Sequence, residues 1–157
     1  METFEYTSTI DAPASEVFRW HWRPGTLKKL IPPWEHVEVV KPAAGPEDGQ
    51  TAELRISVGP LKLRWIARHC EFEEDRQFAD VQESGPFSYW HHLHRIEPIT
   101  ADRCILTDKI DYSLPVGFIT NAAFRGWIHH KLERMFEYRH KVTAEDMQRI
   151  SAREQRN

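Results

Sequence analysis

FADVQESGPFSYWHHLH, residues Phe78–His94, reads as two strands joined by a tight turn. Ser84-Gly85-Pro86 is the turn, since Gly accepts positive φ and Pro fixes φ and brings no N–H to a ladder. Side chains alternate between the two faces of a strand. Phe78, Asp80 and Gln82 therefore share one face before the turn, and Trp90, His92, His94 and Ile96 share one after it. Each set mixes large apolar rings with protonatable groups. A plain core would use Val, Ile and Leu, and a plain solvated face would not use Phe78 and Trp90. The mixture predicts a face that is enclosed yet polar, the wall of a cavity.

Outward from this hairpin the same alternation recurs. Residues 2–10 (Phe4, Tyr6, Ser8, Ile10) form a first strand. Asp11 to Glu16 starts a helix, with Asp11 or Ser15 as cap and Pro13 in the first turn. Arg23-Pro24-Gly25 ends it, and Thr26 to Leu30 makes a second short helix. Strands follow at Trp34 to Lys41, Thr51 to Val58, Leu61 to Glu73, Gln77 to Glu83, Ser88 to Glu97 and Arg103 to Leu114. Gly59-Pro60 is a turn, and Pro42 to Gln50 a loop by composition. A long helix is expected over Phe118 to His140, where Phe124, Ile128, Leu132, Met135 and Phe136 make an apolar stripe. Residues 141–157 either extend that helix or form a mobile tail; Thr143 to Asp146 can cap a new turn, and the polar stretch from Arg149 is expected to be mobile. Short connections make the sheet a meander. The expected class is α+β: one domain over 1–157, a seven-stranded curved antiparallel sheet wrapped around the C-terminal helix, with two short helices after the first strand.

Bulk properties exclude several roles. A net charge of −3 gives no electrostatic case for nucleic acid. No apolar run reaches the length of a membrane span, and METFEYTSTIDAP lacks the basic and apolar regions of a signal peptide. Cys70 and Cys104 lie outside any CxxC, which suits reduced thiols and a cytoplasmic location. No GxGxxG is present.

The element order, with WEHVEVV (Trp34–Val40) after IPP, WIARH (Trp65–His69), FADVQESGPFSYWHHLHRIEP (Phe78–Pro98), TDKIDYSLP (Thr107–Pro115) and FEYRH (Phe136–His140), resembles the START-like, helix-grip (SRPBCC) superfamily. The motifs are most similar to the ligand-binding SRPBCC domain often fused ahead of a nucleotide-sugar-epimerase-like domain. That resemblance spans Phe4 to His140 and implies a pocket between sheet and helix. It also implies a possible epimerase-like partner, here encoded separately, because this chain carries no dinucleotide motif.

Four strands aim polar groups at one volume. His92 and His94 form an HxH, and Asp80, Gln82, His69 and Asp108 are candidate cross-strand partners. Asp108 shares parity with Leu106, Ile110 and Tyr112, so it points inward. A buried carboxylate requires partners, and imidazoles supply them. Trp65, Phe78, Trp90 and Tyr112 complete the candidate ligand-binding set. The competing reading is a structural network without chemistry. HxH suits a metal, but the third ligand is undetermined from sequence; the expectation is no stoichiometric transition metal and no cofactor. His129 and His130 lie on the helix, where one can face the cavity, and Arg134, Arg139, His140 and Lys141 read as an exposed basic face. The favoured function is a binding domain for a small hydrophobic or amphipathic molecule, without assigned catalytic residues. One alternative is a cyclase or dehydratase using cavity His and Asp, with Tyr112 and His92 as proton donors. Another is a partner-binding domain of the Hsp90-activator type.

Overall fold

Seven strands make one antiparallel sheet in the order β1-β7-β6-β5-β4-β3-β2. In this computed structural model, which describes residues 1–58, 60–115 and 122–156, they are β1 (Glu2–Ile10), β2 (Val37–Lys41), β3 (Thr51–Val58), β4 (Leu61–Glu73), β5 (Gln77–Ser84), β6 (Tyr89–Thr100) and β7 (Arg103–Ser113). Two short helices, α1 (Ala14–His21) and α2 (Thr26–Lys29), follow β1, and the long α3 (Ala122–Glu154) closes the chain. This is the expected helix-grip architecture. Among the described residues, no helix is long and apolar enough to cross a membrane.

The predicted parity holds on the inner face. Phe4 and Ile10 of β1, Trp90, His92, His94 and Ile96 of β6, and Leu106, Asp108, Ile110 and Tyr112 of β7 are all buried. The intervening residues of these strands are mostly partly or fully exposed. Two apolar clusters share this face. One gathers Ile10, Val17, Phe18, Trp20, Phe78, Ile96, Leu106 and Met147 around α1. The other gathers Phe4, Trp65, Trp90, Ile110, Tyr112, Leu132 and Phe136 near the start of α3.

Three local expectations are corrected. Neither Asp11 nor Ser15 caps α1: Pro13 is the N-cap and no side chain bonds there. Its carbonyl takes the N–H groups of Glu16 and Val17, while Asp11 accepts from Arg103 at 2.9 Å. Helix α3 runs past His140 without a break, so no new turn begins at Thr143; that hydroxyl bonds back to the Arg139 carbonyl at 2.9 Å. No Gly or Pro interrupts the chain after Gly126, and Phe136, His140, Thr143 and Met147 carry the buried stripe onward past His140. Most of the stretch expected to be mobile, from Arg149, is therefore helix. The expected helix start at Phe118 and the turn residue Gly59 lie outside the described residues. Both cysteines are free thiols.

Candidate functional site

The hairpin β5–β6 and strand β7 bring the polar groups together by register. Asp80 pairs with His92, Phe78 with His94, and His94 with Asp108. Cross-strand neighbours on one face sit about 4.5–5.5 Å apart at Cβ, so an imidazole on β6 reaches a carboxylate on either side. His92 Nε2 donates to Asp108 Oδ1 at 2.8 Å. His94 Nδ1 lies 2.6 Å from the same oxygen but is not aligned with it as a hydrogen bond. The other carboxylate, Asp80 Oδ1, faces the remaining nitrogens, 3.5 Å from His92 Nδ1 and 3.9 Å from His94 Nε2.

A third imidazole comes from α3. His140 Nε2 donates to Asp108 Oδ2 at 2.7 Å, and Ser8 Oγ lies 2.6 Å from His140 Nδ1. His140 is only 3% exposed, which corrects the expectation of an exposed basic face. Arg139 is likewise partly buried, its Nε bonded to the Leu30 carbonyl at 3.2 Å. The helix phase explains both: His140 follows Phe136 by one turn and inherits the buried side. A second histidine absent from the candidate set, His21 of α1, bonds the Val17 carbonyl at 2.7 Å and packs against the rings of Phe78 and His94.

Burial penalises every charge here, and neighbours decide the outcome. For His94 the Asp108 charge and the nearby Asp80 outweigh burial and raise its pKa to about 8. Burial also opposes ionisation of Asp108, yet His94 and the donors His140 and His92 hold its carboxyl well below the usual range. Asp80 is lowered against burial by His92 and His94. His21 has no such carboxylate in contact; burial and then the His94 charge push it down to about 4.

Other candidate residues stand apart from this cluster. Gln82 spends its amide on the turn, donating to the Phe87 carbonyl at 2.8 Å and accepting from the Phe87 N–H at 3.2 Å. His69 contacts the Pro42–Gln50 loop, Nδ1 lying 3.1 Å from the Gly45 carbonyl, and meets the Trp22 ring edge-on. Burial lowers the His69 pKa, and Asp80 offsets this in part. Trp65, Trp90 and Tyr112 form an aromatic wall with Phe87. His129 and His130 are both exposed; His129 touches the Phe4 ring and His130 lies near Glu133.

Phe136 of α3 reaches into the space between the sheet and the helix beside the polar cluster. Phe136, fully buried, lies 5.1 Å from the His92 ring. Two surface clefts lie elsewhere: about 570 Å³ beside Asp11, Arg103 and Ser151, and about 250 Å³ beside Trp20, Lys29 and Asp146. The expected enclosed cavity at the polar cluster is therefore not among these two. Openings remain at its edges. The Asp80 side chain is 18% exposed, and the Trp22 indole N–H is buried without an acceptor. At the aromatic end Leu54, Ile56, Phe87, Phe124, Ile128 and Met135 are only partly buried.

Comparison with known proteins follows the fold. Residues 10–136 match the model of a family described as polyketide cyclase / dehydrase and lipid transport. No curated protein sequence matches the chain. Among solved structures, a Thermus thermophilus protein aligns at TM-score 0.73 and 18% identity over 96% of this chain and 99% of its own. The nucleoside-diphosphate sugar epimerase of Corynebacterium glutamicum aligns at 0.72 and 25% identity, covering 95% of this chain and 30% of that one. A Streptomyces aromatase/cyclase aligns at 0.68 and 20% identity over 94% of each chain.

Proposed function

The chain belongs to the polyketide cyclase / dehydrase and lipid transport family, and from that premise we propose that it binds a small amphipathic molecule between the sheet and α3. The apolar body of the ligand lies against Trp65, Trp90 and Tyr112. Its polar group turns toward Asp80, His92 and His94. The observation that carries this reading is the adjacency of the two halves: ionised groups buried on the same strands as an aromatic wall. A fold alone gains little from burying two carboxylates among histidines, because desolvation offsets the attraction. The partly buried apolar side chains beside the start of α3 support entry from that end, with Phe136 moving aside.

Native mass spectrometry and tryptophan emission test the reading with two probes, oleate and a dihydroxynaphthoate. The expected result is a 1:1 complex with at least one probe, weakened by Trp90→Ala. No complex and no emission change up to about 1 mM, the weak end of useful affinity, would overturn it.

Acid–base chemistry on the bound molecule is the second reading, favoured by the direct His92–Asp108 contact, which fixes the ring and leaves its other nitrogen facing Asp80. His92→Ala would then keep ligand affinity and lose turnover; loss of both would reject catalysis by this residue. For protein contacts, the Corynebacterium glutamicum neighbour, of which this chain covers 30%, motivates an epimerase-like partner. Co-elution with a purified epimerase-like protein lacking such a domain checks this.

A further inference from the structure

Asp80 Oδ1, His92 Nδ1 and His94 Nε2 all lie within 4.8 Å of one another. Their separations from the carboxylate oxygen, 3.5 and 3.9 Å, are too long for hydrogen bonds. They are close to the spacing of metal ligands. Tetrahedral donors about 2.0–2.1 Å from an ion stand about 3.4 Å apart. A satisfied imidazole–carboxylate pair would instead close to hydrogen-bond length, as His92 and His140 do on Asp108.

Asp108 supplies the second half of the argument. It occupies the opposite nitrogen of both rings, at 2.8 Å for His92 and 2.6 Å for His94. A carboxylate behind a ligating imidazole fixes the ring and directs the free lone pair forward. Here Asp108 does so for His92 by a hydrogen bond and lies against His94 Nδ1 at ion-pair distance, and His140 holds that carboxylate in turn. We propose that Asp80, His92 and His94 form a binding site for a divalent first-row transition ion, with Asp108 as the group that orients His92. Two imidazoles and one carboxylate favour zinc, cobalt or ferrous iron over magnesium or calcium, which prefer all-oxygen sites. Three protein ligands leave coordination positions open, and the 18% exposure of Asp80 gives water access to them. The third ligand that HxH alone could not supply is the residue paired with His92 across the hairpin.

The site does not depend on whether an amphipathic ligand binds, so its test uses metal alone. A competing group lies on the opposite face, where Cys70, Glu71 and His91 also come within 4.8 Å of one another. The experiment therefore uses the full chain carrying Cys70→Ser. Metal-stripped protein is titrated with Co²⁺, followed by visible d–d absorption, and bound ions are counted after desalting. The expected result is about one ion per chain, displaced by Zn²⁺, with the spectrum of a four- or five-coordinate site. Asp80→Asn and His94→Gln, each shown to keep the parent far-UV dichroism, should abolish stoichiometric binding. Asp108→Asn, where it folds, should weaken binding about 10- to 100-fold while keeping the stoichiometry. No uptake by the Cys70→Ser protein, or uptake unchanged in folded Asp80→Asn and His94→Gln, would overturn the proposal.

Discussion

Two buried carboxylates tie α3 to the rest of the molecule, and their partners differ in kind. Asp108 sits on the sheet and, among the described residues, is met only by imidazoles, those of His92, His94 and His140. Asp146 sits on the helix and is met by the Trp20 indole N–H at 3.2 Å, Lys29 at 2.5 Å and Arg149 at 3.3 Å. The partners of Asp146 carry fixed charges or a single proton and offer nothing further. Of the partners of Asp108, His92 and His94 each turn a second ring nitrogen toward Asp80, whereas that of His140 meets Ser8. Asp146 is a clamp, whereas Asp108 is the centre of a buried imidazole cluster. Exposure sharpens the difference, since the Lys29 side chain is 57% exposed and the His140 side chain 3%.

The sharpest way to break this comparison is to neutralise each carboxylate in turn. Asp108→Asn strands imidazoles in the interior and should cost about 3–5 kcal/mol, the range for breaking a buried charge pair from one side. Urea unfolding measures it, and a loss below 1 kcal/mol would mean that the histidines find other acceptors. Asp146→Asn should cost less, about 1–2 kcal/mol, because Lys29 regains water when its partner goes. Equal losses for the two variants would remove the distinction.

Acid refines it. Burial opposes ionisation of Asp146, but Lys29 and Trp20 hold its carboxyl below the usual range. A carboxyl lowered in the folded state contributes stability above its unfolded pKa of about 3.9 and loses it as pH falls through the folded value. The stability gap between wild type and Asp146→Asn should therefore be constant from pH 7 to about 5 and shrink below about pH 4. Unfolding midpoints for both proteins over that range decide it; a gap that persists at pH 2 would assign the effect to packing. The smallest effect is that of salt. Raising NaCl to 1 M should trim the Asp146→Asn cost by about 0.5 kcal/mol or less and leave the Asp108→Asn cost unchanged, since screening reaches only the exposed pair.

The difference between the carboxylates also governs what could be read from sequence. Asp108 was readable because strand parity is strict: two residues from Leu106 and from Ile110, it had to face inward. Asp80, His92 and His94 followed from the same alternation across one hairpin. Asp146 and His140 were not readable in that way. Both lie on a helix among charged neighbours, where residue type suggests solvent and only the phase of the stripe says otherwise. The spacing from Leu132 to Phe136 to His140 carries that signal, but a histidine beside Arg139 and Lys141 reads as part of the charge run. His21 and Trp22 escaped for another reason. Their roles depend on how α1 lies across the sheet, which is a matter of tertiary packing.

Strand β1 pairs only with β7, whereas every other ladder joins strands adjacent in sequence. Thr3 and Asp111 bond across this pair although 108 residues separate them. Five hairpin ladders can thus form by local search, while the sixth must close nearly the whole chain into a loop. Loop closure grows costlier with length, though slowly, and non-local pairing slows folding more than it weakens the folded state. The His140 contact with Ser8 belongs to the same late event, because it needs β1 in place under α3. Topology thus places Asp80, His92, His94 and Asp108 on locally paired strands, whereas the Ser8–His140 contact waits on the one long-range ladder.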